Sequence, residues 1–239
     1  MEIQIAAAKT NKYATSESGD TLEVVERPNG GLSVVLADGQ TSGRGAKNIS
    51  SMVVRKVISL LAEGVRDGAA ARAASDYLYT ERNGKVCASL NILSVDLQTL
   101  TLVIVRNNPT PLFIARKDKI ERLEGESVPI GTNRNIRPAI SEVALEEGTT
   151  IVVYTDGIAN AGDRTGEHLD ICTLLQASLE EQEPTAQLIA NMLLNQALRL
   201  DQNRPNDDMS VVVLRVLPGG DDQIRRMTVQ LPVPAIYGH

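Results

Sequence analysis

The sequence predicts an α+β fold of mostly antiparallel strands in layers, with helices in segregated pairs. Three observations carry that prediction. The elements come in blocks (strands, two helices, strands, two helices, one strand), which is layered α+β order and not a βαβ winding. Asn29-Gly30 is a favoured two-residue turn between two strand-like runs. Two apolar strands, residues 32–36 and 150–154, each stop abruptly at an Asp-Gly pair, Asp38-Gly39 and Asp156-Gly157. With 239 residues, 42% of them hydrophobic, the chain has material for one sizeable core, and a domain of this size buries roughly three quarters of its unfolded surface.

Residues 3–9 read as a first strand, and the polar stretch 10–19 delivers Asp20 to the start of a second, 21–26. The strand after Asn29-Gly30 ends at Asp38, so antiparallel pairing brings Asp20 and Asp38 to the same end of one hairpin. A helical pattern then spans residues 44–66, with Ile49, Val53, Val57, Leu60 and Leu61 on one face. An alanine-rich helix follows at 68–81, stopped by Asn83-Gly84. Strands resume at 86–95, 100–105, 112–116 and 120–123, a Gly/Pro/Asn loop occupies 124–138, and strands 139–145 and 149–155 complete the run. Helices are expected at 167–179 and 185–200, the second with Pro184 at its start and an apolar stripe of Ile189, Leu193, Ala197 and Leu200. Asp207-Asp208 opens the last strong strand, 209–217. The domain is therefore placed at residues 1–217. The tail, 218–239, carries an alternating stretch (Met227, Val229, Leu231) suited to an extra edge strand or a dimer arm.

Composition narrows the function. The net charge of −6 argues against nucleic-acid or anionic-membrane partners, which select basic surfaces. Aromatics at 3%, without tryptophan, remove the usual base-stacking platform. The start of the chain does not read as a signal peptide, and no run of about 18 apolar residues occurs, so the expectation is a cytoplasmic protein. Cys87 and Cys172 read as small buried hydrophobes in a reducing compartment.

A lone Asp-Gly after a strand is ordinarily only a turn. Three acidic strand ends change that balance. If Asp38, Asp156 and Asp207 converge, each pair about 4 Å apart repels by about 4 kcal/mol at an effective dielectric near 20. Only protons or cations hold such groups together, and oxygen ligands without histidine select Mg²⁺ or Mn²⁺ over Zn²⁺. Two such ions can activate a water and clamp a phosphoryl group. Competing chemistries lack parts. His168 and His239 are the only histidines, Gln40 stands where a D-x-D phosphatase needs its second aspartate, and no phosphate-binding P-loop is present.

Four motifs in order, Ser18-Gly19-Asp20, 37–43 (ADGQTSG), 154–158 (YTDGI) and 206–210 (NDDMS), resemble the metal-dependent PPM protein phosphatases, and among them the bacterial SpoIIE/RsbU/RsbX branch, RsbX most of all. The resemblance spans about residues 3–216. It implies a PPM-like αββα sandwich, two mostly antiparallel sheets flanked by pairs of helices, with two Mn²⁺ or Mg²⁺ ions at one end. By motif position Asp38 bridges the ions, the Gly39 carbonyl holds one, and Asp156 and Asp207 hold the other. Asp208 ranks behind Asp207 as a ligand, Asp20 orients metal-bound water either as a ligand itself or from behind the ligands, and Asp163 is the candidate for a looser third ion, against the commoner reading of a solvated loop aspartate. The activity implied is hydrolysis of phosphoserine or phosphothreonine without a phosphoenzyme. The substrate implied is a phosphorylated STAS-domain regulator or anti-sigma antagonist in a bacterial stress or sporulation circuit. Two departures stand out. Thr41 occupies a position where the family usually has glycine, and the phosphate-binding arginine of the eukaryotic relatives has no clear counterpart, leaving Lys9, Lys12 and Arg44 as candidates. The chain reads as a stand-alone unit, controlled by a partner, by its expression or through the helices after Asp38, whose packing the tail or a homodimer would bias. The rival functions are a metal-poor binding module of the same fold and a small-molecule phosphoesterase.

Overall fold

Two five-stranded antiparallel sheets lie face to face in the computed structural model, which describes residues 1–117, 119–181, 183–219 and 224–232. In chain order the elements are β1 (Glu2–Thr10), β2 (Asp20–Glu26), β3 (Leu32–Gly39), α1 (Gly43–Ala62), α2 (Asp67–Arg82), β4 (Ala88–Asp96), β5 (Thr101–Asn107) and β6 (Leu112–Arg116). There follow β7 (Lys119–Leu123), β8 (Ala139–Ala144), β9 (Thr150–Tyr154), α3 (Asp156–Ala159), α4 (Ile171–Glu181), α5 (Ala186–Leu200) and β10 (Met209–Leu217). One sheet runs β1-β10-β9-β6-β7 and the other β2-β3-β4-β5-β8.

Strand alternation builds the layers. Val34, Leu36, Leu93 and Ile104 of one sheet meet Ile114, Ile151, Val153, Val212 and Leu214 of the other in a shared central core. The opposite faces carry Val35, Ala37, Leu90 and Ile92 beneath α1 and α2, and Val152, Tyr154, Val211 and Val213 beneath α4 and α5. On α1 the buried set Ala46, Ile49, Val53, Val57 and Leu61 recurs at three and four residues, as a helix lying on a sheet requires. Full burial of each Ile, Val or Leu in this set contributes about 1.5–3 kcal/mol. The αββα expectation holds.

The structure corrects several local expectations. The β2–β3 connection is a three-residue loop, Pro28-Asn29-Gly30, because Gly30 N–H closes a turn on the Arg27 carbonyl and Arg27 N–H bonds Gly31. Pro28 takes the turn position that its fixed φ favours. Helix α1 ends at Ala62, where the N–H groups of Gly64 and Val65 fold back onto Leu61 and Leu60. Helix α4 begins at Ile171, since the Asp170 carboxylate accepts the Thr173 N–H and hydroxyl and so caps it. The four-residue α3 was not foreseen. In the tail, residues 224–232 form no strand. Met227, Val229 and Leu231 are exposed, and Arg225 contacts the Gly30 carbonyl and Glu26. The remainder of the tail, 220–223 and 233–239, lies outside the described residues. Among the described residues no helix is long and apolar enough to cross a membrane.

A buried polar network ties the first helix pair to its sheet. Arg27 reaches Asp67 at 3.3 Å and the Val65 carbonyl at 3.1 Å, and Asp67 also accepts from Ser94. Asp67 thereby fixes the first turn of α2 over β3 and β4.

Candidate metal centre

Asp20 and Asp38 are direct cross-strand partners at the end of the β2–β3 ladder. Their glycines and neighbours explain why the chain can close there. A Cβ on Gly39 would stand 2.1 Å from the Ala46 carbonyl oxygen, so only glycine lets the end of β3 touch the first turns of α1. Gly157 plays the same part across the site, where a Cβ would stand 2.2 Å from the Asp208 carbonyl oxygen. That contact seats the α3 turn, and Asp156 at its start, against the 207–208 segment. The pairing of β9 with β10, Tyr154 opposite Val211, brings Asp156 and Asp207 to one sheet end.

Asp20 is wholly buried, and its Oδ2 accepts from Ser210 Oγ at 2.5 Å and Thr155 Oγ1 at 3.1 Å. Its Oδ1 is buried with no hydrogen-bond partner. Burial pushes the Asp20 carboxyl up to about 7, with nearby Asp208 adding repulsion against the relief given by Ser210. Asp38 is pushed further, to about 9, by burial and then by the charges of Asp20, Asp156 and Asp207. Asp156 is raised by partial burial and by Asp207 beside it, although its side chain still reaches solvent. Asp38 is thus the middle member of a four-carboxylate cluster drawn from three distant segments.

The other expected ligands are placed differently. Asp208 Oδ1 accepts the Lys12 N–H at 2.9 Å and Oδ2 the Gly19 N–H at 2.7 Å, so both oxygens are committed to holding the 10–19 loop. These bonds give Asp208 a structural part, in keeping with its rank behind Asp207 as a ligand. Asp163 stands 3.3 Å from His168 Nδ1 in an exposed contact. Sequence reasoning missed Thr155 and Ser210 as the groups that fix Asp20, although both lie inside the quoted motifs. It also missed Asp201, whose carboxylate accepts Gly162 N–H and Asn206 N–H and so orders the approach to Asp207. Lys9 and Lys47 both donate to the Asp20 carbonyl oxygen, at 3.0 and 2.9 Å.

Among the described residues, no three carboxylate, imidazole or thiolate side chains already surround one point as a finished coordination shell. The donor set nevertheless fits hard divalent cations. The acids repel one another, Asp38 holds a proton far above the usual carboxylate range, and a buried Asp20 oxygen lacks a partner. Cations would relieve all three conditions.

Residues 28–217 match the family model described as Stage II sporulation protein E (SpoIIE). Stage II sporulation protein E of Bacillus subtilis is 23% identical over 98% of this chain and 28% of its own length. The chain spans about a third or less of the curated relatives it matches. Among solved structures, the PP2C phosphatase domain of SpoIIE from Bacillus subtilis, with a fragment of its regulatory domain, has a TM-score of 0.77 at 22% identity, covering 90% of this chain and 63% of that one. RsbX in complex with magnesium has a TM-score of 0.66 at 15% identity, covering 89% and 94%. These likenesses share the fold of two antiparallel sheets with flanking helices. The family match over most of its length shows that the chain belongs to the SpoIIE family.

Proposed function

We propose that this chain is a Mn²⁺- or Mg²⁺-dependent phosphatase for phosphoserine or phosphothreonine on a regulatory protein. A phosphorylated STAS-domain regulator or anti-sigma antagonist is the substrate type that the family points to. The observation that carries this function is the meeting of Asp20, Asp38, Asp156 and Asp207, with Asp38 pressed by the other three. The solved RsbX relative was crystallised with magnesium, which supports a divalent cation here.

Asp38, Asp156, Asp207 and the Gly39 carbonyl are the groups that would hold two cations. When bound, such a pair supplies an activated water and neutralises the charge of a phosphoryl group. The chain's own residues prepare the rest. Ser210 and Thr155 pin Asp20 Oδ2, leaving Oδ1 free to accept a hydrogen bond from water. Gly39 and Gly157 let the two loop ends approach closely enough for the acids to meet. Asp208, beside Asp20, and Asp201 hold the loops that carry the cluster.

The test is phosphate release from a phosphoserine protein with Mn²⁺, with and without EDTA. Release that EDTA abolishes is expected. No release from phosphoproteins, with turnover of phosphorylated metabolites, would transfer the site to small-molecule chemistry. No turnover of any phosphoester would leave a binding module.

A further inference from the structure

A groove of about 1090 Å³ runs beside the carboxylate cluster along α1 and carries charge opposite to that of the whole chain. Lys9, Arg44, Lys47, Arg55, Lys56 and Arg82 line it, with Glu17 as its one acidic wall residue, in a protein of net charge −6. The cations follow helix geometry. Lys47, Ser51, Arg55 and Ser59 fall one turn apart on one ridge, and Arg44, Asn48, Met52 and Lys56 fall on the next. Small and neutral residues alternate with the charged ones, leaving a floor between them. One end is anchored to the site, because the Lys9 and Lys47 ammonium groups both bond the Asp20 carbonyl. At the far end Lys56 lies 5.6 Å from the Tyr77 ring centroid. The one ion pair formed by a lining residue among the described residues, Arg44 with Glu17 at 3.9 Å, is largely exposed and weak.

We propose that this groove docks an acidic segment of the phosphoprotein substrate, with the phosphorylated residue at the Lys9–Lys47 end and its carboxylate neighbours along Arg55, Lys56 and Arg82. The proposal rests on the phosphatase function above and specifies its substrate class. The register follows from the spacing. Lys47 and Arg55 are eight residues apart on one helix, about 12 Å at 1.5 Å per residue. An extended peptide covers that distance in about four residues at roughly 3.3 Å each. Acidic side chains three or four positions from the phosphoresidue therefore meet the second cationic cluster. A short acidic segment suits the groove better than a long polyanion, because a nucleic acid or lipid surface extends beyond it onto a net-negative protein.

The test uses phosphoserine peptides with Asp or Glu three and four positions away, against the same peptides with Ser or Lys there. p-Nitrophenyl phosphate serves as a small control substrate. With Mn²⁺, the parent is expected to favour the acidic peptide by about tenfold or more in kcat/KM at low salt, and to lose that preference at about 0.5 M salt. Arg55→Glu with Lys56→Glu should abolish the preference and leave p-nitrophenyl phosphate hydrolysis unchanged, and Arg82→Glu should weaken it. Fluorescence anisotropy of the unphosphorylated acidic peptide in EDTA reads docking without turnover and should fall about tenfold in the double variant. No acidic preference, a preference that survives charge reversal, or equal binding of single-stranded DNA of matched charge would overturn the proposal. Failure of the parent to hydrolyse even p-nitrophenyl phosphate would sink the phosphatase function instead, while the anisotropy still judges the groove.

Discussion

Replacing Asp38 with asparagine in protein stripped of metal by EDTA is expected to raise stability, by an amount that grows with pH. Burial and the charges of Asp20, Asp156 and Asp207 push the Asp38 carboxyl from 3.8 to about 9. Between those values the folded chain keeps a proton that the unfolded chain has released. Stability from this group is therefore complete below about pH 4 and drains away as the pH rises through about 9. Asparagine, shaped like the protonated acid, does not pay that penalty. Each tenfold change in proton affinity is worth about 1.4 kcal/mol. The neighbouring acids share the cluster's protons, so only part of the separation belongs to Asp38, and a third of it is on the order of 2 kcal/mol. For a chain of this length that corresponds to about 4–8 °C in Tm. Thermal unfolding of parent and variant at pH 5, 7 and 9 reads the effect directly. The gap should be small at pH 5, widen at 7 and be largest at 9, and Mn²⁺ should reverse it by stabilising only the parent. A gap that does not change with pH, or a variant less stable throughout, would refute the crowding of these carboxylates.

Other perturbations test the scaffold. Asp67→Ala strips Arg27 and Ser94 of their buried partner and should cost about 3 kcal/mol in urea unfolding; a loss under about 1 kcal/mol would show the network to be dispensable. Gly157→Ala drives a Cβ to 2.2 Å from the Asp208 carbonyl oxygen, so Mn²⁺ affinity by calorimetry should fall about tenfold or more even where the fold survives. Thr41, β-branched and at φ 78°, sits in the left-handed region. Thr41→Gly should raise stability by about 1 kcal/mol, measured as a shift in urea midpoint; no gain would mean that the turn relaxes in solution.

Local pattern made much of this architecture legible. The hairpin that pairs Asp20 with Asp38 follows from two strand-like runs around one turn, and the register came out as antiparallel pairing requires. The three-residue loop was missed because Pro28 and Asn29-Gly30 compete to define the turn, and the pattern alone does not rank them. Asp156 and Asp207 each lie more than a hundred residues from Asp38. The meeting of Asp156 with Asp207 depends on β9 pairing with β10, a non-local contact that periodicity does not show; the resemblance implied only that the two share an ion. Asp207 and Asp208 are chemically identical neighbours in the sequence. The resemblance ranked Asp207 first, and the folded 10–19 loop, offering the Lys12 and Gly19 N–H groups, gives Asp208 a structural part that no local pattern announced. Helix α3 is too short to leave a periodic trace. Thr155 and Ser210 gave no spacing signal, because their role depends on a carboxylate more than a hundred residues away.

Anomalous scattering from crystals soaked in Mn²⁺ addresses the central claim most directly. Two peaks a few Å apart, flanked by Asp38 with Asp156 and Asp207 and absent from Asp38→Asn crystals, are the predicted result. Ordered manganese elsewhere on the surface, with none beside Asp38, would contradict the account.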